Sequence, residues 1–158
     1  MAVYSKGMPI GTPAPVFKLP ATDGGTYSLD SFAPAEVLVV LFTCNHCPYA
    51  LATELRYPAD AFDVMREKAQ LAAWPYPYLY DADQSVARAY DAACTPDVFV
   101  FDRTRKLVYN GRLDDNWKDA ALVTNEELRR AVEATLQHQL ITWKVEPSMG
   151  CSIKWKAA

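Results

Sequence analysis

The run Val37-Leu38-Val39-Val40-Leu41-Phe42, followed by Thr43-Cys44-Asn45-His46-Cys47-Pro48, leaves this chain few folds to choose from. An apolar run rich in Val predicts a strand buried on both faces. Two cysteines separated by Asn45 and His46 then stand where the strand gives way to the first turn of a helix. A helix start offers unpaired N–H groups and a partial positive charge, and both favour an anionic thiolate over a thiol. The first sulfur of such a pair is the exposed one, so Cys44 is the expected nucleophile. Cys47, one turn further in, is the thiol expected to resolve a mixed disulfide formed by Cys44. Pro48 is tolerated early in a helix, where its missing N–H is not needed. Protonated His46 adds positive charge beside Cys44, which stabilises the dithiol and makes the disulfide more oxidising; the alternative is a solvent-facing His46 with no tuning role.

The same spacing also arises when two small buried hydrophobes fall together, or as half of a zinc site. No second pair at ligand spacing exists, because Cys94 and Cys151 stand alone and the chain has 2 histidines. Redox chemistry without a metal or cofactor is therefore the expectation.

A length of 158 residues with 51% hydrophobic and 22% charged content suits one domain over residues 1–158 with its own core. Residues 1–7 lack the apolar stretch of a secretory signal and no run approaches a membrane span, so the expected compartment is the cytoplasm, where a cysteine pair is more often catalytic than structural. A net charge of -3 gives no reason to expect nucleic acid or an anionic membrane as partner.

Residues 1–36 read as an N-terminal extension and a hairpin. Pro9, Pro13, Pro15 and Pro20 keep the entry extended or turned, Phe17 and Leu19 alternate, and Asp23-Gly24-Gly25-Thr26 turns the chain into a returning strand with Tyr27 and Leu29. Residues 49–56 are good helix formers, ended by Tyr57-Pro58; a second helix is expected over 60–72 with Phe62, Met65 and Ala69 on one face. Asp83 is placed to cap a short helix through Val86, Ala89 and Tyr90. Val98–Phe101 is a strongly apolar strand, and Leu107-Val108-Tyr109 returns antiparallel to it. Thr124-Asn125-Glu126-Glu127 reads as a capping box before a helix whose inner stripe is Leu128, Val132, Leu136 and Leu140. Residues 139–158 are expected as an ordered tail folded back on the domain, since Ile153 and Trp155 need burial. Asp114, Asp115 and Asn116 form a polar loop, read as a turn rather than a cation site.

Four stretches in order, Phe42 to Tyr49, Cys94-Thr95-Pro96-Asp97, Gly111 to Asn116 and Gly150-Cys151-Ser152-Ile153-Lys154-Trp155, resemble the thioredoxin-like, peroxiredoxin-like redoxins of bacteria, the AhpC/TSA-type group. The resemblance covers almost the whole chain. It implies an α/β thioredoxin-like fold, a mixed central sheet flanked by helices, and thiol-disulfide chemistry on a disulfide-containing protein or a small thiol substrate, with a thioredoxin- or glutathione-type reductant. It also implies a cis peptide at Thr95-Pro96 packed against the cysteine pair, with the Thr95 backbone offered to an extended substrate chain. Cys94, two residues before Pro96, is then a third thiol near the pair, a soft metal ligand for Cu(I) or Zn, or buried filler. Cys151 is a candidate to pair with Cys94 under oxidation.

The chain also departs from that pattern. Leu38 stands where thioredoxin carries a buried carboxylate, and Val40 and Cys44 stand where a peroxidatic Pro and Thr would precede Cys47. The family implies a parallel strand after the active-site helix, whereas Arg56 runs directly into Tyr57-Pro58, a shortfall of about two dozen residues. A true deletion, a segment absent from this sequence, and repair of the sheet by a second copy in a homodimer all remain open.

Overall fold

The computed structural model describes residues 2–45 and 60–156. The helix expected over 49–56, and with it His46, Cys47 and Pro48, lies outside the described residues. Three small sheets organise the remainder. Strands β2 (Lys18–Pro20) and β3 (Thr26–Ser28) form the expected hairpin, with Leu19 opposite Tyr27. Asp23 accepts hydrogen bonds at its tip from the Gly25 N–H and the Tyr27 hydroxyl. Leu29 does not extend β3; it opens a 3-10 turn over Leu29–Phe32.

Strand β4 (Leu38–Phe42) pairs antiparallel with β6 (Asp97–Phe101), which pairs in turn with β7 (Leu107–Asn110). The doubly buried strand is β6, all of whose residues are buried. Phe99 and Phe101 face a core shared with Tyr90, Val86 and Leu38, while Val100 faces Tyr109 and Ala131. The expectation that β4 is buried on both faces is corrected: Val39 and Leu41 are each 41% exposed. Both share the face opposite Leu38, Val40 and Phe42, which pack in or against the core, and among the described residues β4 is also the edge of the order β4-β6-β7. Between α1 and the next helix, Leu79 forms one isolated bridge with Ala21.

Helix α1 (Phe62–Leu71) buries Met65 as its spacing predicts. Helix α2 (Ser85–Ala89) is preceded by Gln84 in a left-handed conformation. Asp81 accepts from the N–H groups of Val86 and Ala87, and Asp83 from that of Ser85, so the capping load falls mainly on Asp81. Helix α3 (Glu127–Leu136) ends earlier than its apolar stripe suggests, leaving Leu136 51% and Leu140 85% exposed. The capping box is also corrected. The Thr124 hydroxyl and N–H both donate to Asp115, and the Glu127 carboxylate is drawn away by Arg112, which holds it through Nε and, at 3.2 Å, through a second guanidinium nitrogen.

The third sheet has the order β1-β8-β5, joining Ala2–Tyr4, Met149–Ser152 and Cys94–Thr95. Its central strand belongs to the tail, which folds back as expected, although Trp155 stays 41% exposed beneath the Arg88 guanidinium. Strands β5 and β6 are one run of chain broken at Pro96. The Thr95-Pro96 peptide is thus the corner at which the chain leaves the sheet made with β8 and enters the sheet made with β4.

Candidate functional site

Strand β4 carries Cys44 to this corner. Its last ladder pair sets Phe42 opposite Asp97, and the Phe42 ring packs edge-on against Tyr90 and Phe99 with centroids 5.4 and 5.7 Å away. Two residues on, the Cys44 Sγ lies 3.3 Å from the Thr95 Oγ1, and the Thr95-Pro96 peptide is cis. A hydroxyl at that distance can donate to the sulfur when it is anionic.

Asn45 is held on three sides. Its N–H donates to Asp60 at 2.9 Å, its carbonyl accepts from the Lys68 ammonium, and its side-chain oxygen accepts from the Tyr78 hydroxyl at 3.2 Å. Burial raises the Tyr78 phenol well above its usual range, and the neighbouring Asp60 and Cys44 charges push the same way, so Tyr78 acts as a neutral donor. Lys68 sits one turn before the end of α1, which explains how a helix distant in sequence reaches the cysteine loop. Sequence reasoning missed Asp60, Lys68 and Tyr78, because each reads as an ordinary surface polar or aromatic residue until the loop is folded against them.

Behind the corner, Asp97 is fully buried. It accepts from the Ser5 hydroxyl at 3.0 Å, the Ala93 N–H at 3.1 Å and the Asn110 side chain at 3.2 Å. These donors come from the N-terminal segment, the turn before β5 and the end of β7, so one carboxylate fixes three segments around Pro96. Burial raises its proton affinity, and the donors oppose that shift. A charged residue opening an otherwise apolar strand was the available signal.

The three described cysteines are distributed unequally, and no disulfide joins them. Cys94 is fully buried and its Sγ donates to the Pro96 carbonyl at 3.3 Å. Burial, then the Asp97 charge, pushes its thiol up to about 12, which makes it a poor nucleophile. Adjacent strand residues face opposite ways, so Cys94 points away from the side on which Thr95 meets Cys44. Cys151 is directly opposite Thr95 in the ladder. The Ile153 N–H bonds the Ala93 carbonyl, and the alternation of antiparallel ladders then makes Thr95 and Cys151 a pair that exchanges both backbone bonds. The Thr95 backbone, which the resemblance assigned to an extended substrate chain, is therefore engaged by β8. Gly150 permits that closeness, since a Cβ there would lie 2.2 Å from the Thr95 carbonyl oxygen.

The Gly111–Asn116 stretch is structural. Asp114 accepts from the Asn116 N–H, Asp115 from Thr124, and the Tyr109 hydroxyl donates to the Arg112 carbonyl at 2.6 Å. Among the described residues no group of three potential ligands is placed to hold a metal ion, and no helix is long and apolar enough to cross a membrane.

A cysteine delivered by a strand to the threonine of a cis Thr-Pro corner, on a mixed α/β scaffold, defines a thioredoxin-like protein. Comparison with known proteins is consistent with that class. The family model described as Redoxin matches residues 55–128. An uncharacterized conserved protein from Geobacillus kaustophilus shares 38% identity over 100% of this chain and 98% of its own, with a TM-score of 0.92. A hypothetical protein from Sinorhizobium meliloti 1021 shares 34% identity over 98% and 99% of the two chains, with a TM-score of 0.90. The peroxidoxin BcpB from Mycobacterium tuberculosis, at 17% identity over 84% of this chain and 98% of its own, shares the fold with a TM-score of 0.58. No curated protein matches. The chain is thus similar to the redoxin family over residues 55–128 and has the thioredoxin-like fold.

Proposed function

We propose that this thioredoxin-like protein is a thiol-disulfide oxidoreductase in which Cys44 attacks a substrate disulfide and Cys47 resolves the mixed disulfide. The substrate is a disulfide-containing protein or a small disulfide, and a thioredoxin- or glutathione-type reductant returns the pair to the dithiol in the cytoplasm. One observation carries this reading: the Cys44 sulfur lies 3.3 Å from the Thr95 hydroxyl beside Pro96. A donor so placed favours the thiolate, which is the attacking and the leaving species in exchange.

In the cycle the Cys44 thiolate forms a bond to one substrate sulfur, and the other substrate sulfur leaves as a thiolate. Cys47 then displaces the bound sulfur, so two enzyme thiols become one disulfide as the substrate disulfide becomes two thiols. His46 tunes the potential of that pair. Asn45, through Asp60, Lys68 and Tyr78, keeps the loop from following the departing sulfur. Thr95 and Pro96 meet the substrate through their side chains, and Cys94 backs the corner from its far face.

Cys44→Ser is expected to abolish reduction of a model disulfide, and Cys47→Ser to accumulate mixed disulfides. Turnover retained in the Cys44 variant refutes the mechanism. Stopped-flow reaction with hydrogen peroxide separates a peroxidase from an exchange enzyme: a rate no faster than that of a free thiol leaves exchange alone.

A further inference from the structure

Cys151 is a buried nucleophile that the cycle above does not use, and three features of its surroundings give it a role. Its backbone exchanges hydrogen bonds with Thr95, so β8 fills the edge that an extended partner chain would otherwise pair with. Directly opposed residues of an antiparallel pair project their side chains to the same face, with Cβ atoms about 5 Å apart. The Thr95 side chain on that face touches the Cys44 sulfur at 3.3 Å. Strand alternation thus sets Thr95 and Cys151 on one face, with the Cys44 sulfur against the Thr95 side chain, and Cys94 on the other, close enough to Cys151 for its charge to help raise the Cys94 thiol. Cys44 also lies beyond the last β4 ladder pair, Phe42 with Asp97, where the sheet no longer dictates the course of the backbone.

We propose that β8 is a built-in substrate strand and that Cys151 is a second resolving thiol for Cys44. The inference rests on the proposed exchange chemistry at Cys44. When Cys44 carries a substrate thiol as a mixed disulfide, the Cys151 sulfur attacks the Cys44 sulfur and its proton passes to the departing substrate sulfur. A Cys44–Cys151 bond forms, the bond from Cys44 to the substrate breaks, and the substrate leaves as a thiol. The resulting disulfide joins Cys44 to the β8 residue opposite Thr95. A dithiol reductant of the thioredoxin class, or glutathione in two steps, returns it to thiols. With the Thr95 edge already filled, this route suits a small disulfide, which needs no strand edge on which to dock.

The experiment uses the full-length Cys47→Ser protein, treated with oxidised glutathione, quenched with acid and alkylating agent, and mapped by peptide mass spectrometry. The expected result is a transient glutathione adduct on Cys44 that converts to a Cys44–Cys151 disulfide. In Cys47→Ser/Cys151→Ser the adduct should persist at least about ten-fold longer. An adduct in Cys47→Ser that converts to no internal disulfide, or one that joins Cys44 to Cys94, overturns the proposal while leaving exchange at Cys44 intact. Absence of any adduct on Cys44 overturns the proposed function and this inference with it. The mapping in Cys47→Ser leaves Cys151 unaltered, so the outcome does not depend on how well the double variant folds.

Discussion

Gly150→Ala tests whether close contact between β8 and the Pro96 corner holds the site together. A Cβ built at Gly150 stands 2.2 Å from the Thr95 carbonyl oxygen, 2.6 Å from the Thr95 carbonyl carbon and 3.1 Å from the Pro96 nitrogen. All three are backbone atoms, so no flexible side chain can swing aside, and β8 must retreat by about 1 Å to restore ordinary contact. It cannot retreat alone, because it is the central strand and bonds both β1 and β5. Overpacking of this kind costs about 1–3 kcal/mol, and the stiffer unfolded chain of Ala returns about 0.5 kcal/mol. A net loss of about 1.5 kcal/mol corresponds to a fall in Tm of about 3–6 °C for a protein of this size. Gly24→Ala is the control: nothing lies within 4 Å of its Cβ, and only its φ of +88° opposes the change. Its cost should stay near about 1 kcal/mol. Both variants are read by thermal denaturation followed by circular dichroism, with iodoacetamide alkylation of Cys44 as a second readout in Gly150→Ala. A Gly150→Ala protein that melts with wild type or above it refutes the reasoning.

Arg112→Ala should strand the buried Glu127 carboxylate and cost about 3 kcal/mol, and adding Glu127→Gln should recover part of it; chemical denaturation of the three variants checks this. Thr95→Val removes the hydroxyl beside the Cys44 sulfur and should slow alkylation at pH 7 about five-fold, or about 1 kcal/mol, with Thr95→Ser restoring the rate; an unchanged rate in the valine variant removes the hydroxyl from the site. Burial holds the Asp97 carboxyl above its ordinary range, so the unfolded chain releases this proton first as pH rises. The contribution of this group is fully present below about pH 4 and declines as pH climbs through the folded-state value. Urea denaturation of wild type and Asp97→Asn should therefore show the stability of wild type relative to the variant falling from about pH 3 to pH 7, and a rising difference contradicts the assigned direction.

What could be read from the sequence was whatever local pattern dictates. The hairpin at Gly24-Gly25, α1 with Met65 inward, and the β6-β7 pair follow from turn chemistry and apolar period alone. Strand β4 was placed within a residue of its true start, but its burial was misjudged, because burial depends on neighbours that periodicity does not reveal. The capping box failed for a related reason. Thr124 and Glu127 have the right spacing, yet Asp115 and Arg112 compete for them from elsewhere in the chain. Of the site, Cys44, Thr95 and Pro96 were legible as motif residues. Asp60, Lys68, Tyr78 and Asp97 were not, since their roles arise only once separate segments meet around the corner.

The sheet that joins residues 2–4, 94–95 and 149–152 has a consequence for biosynthesis. Its middle strand is the last of the three to be made, and without it the Thr95 corner has no ladder partner on that side. From the addition of Cys44 to that of Ser152 a ribosome working at about 5–20 residues per second needs roughly 5–20 s. Throughout that interval the nascent chain carries its thiol without the framework that positions it. The Thr95 corner gains its ladder partner only once Cys151 and Ser152 have been added.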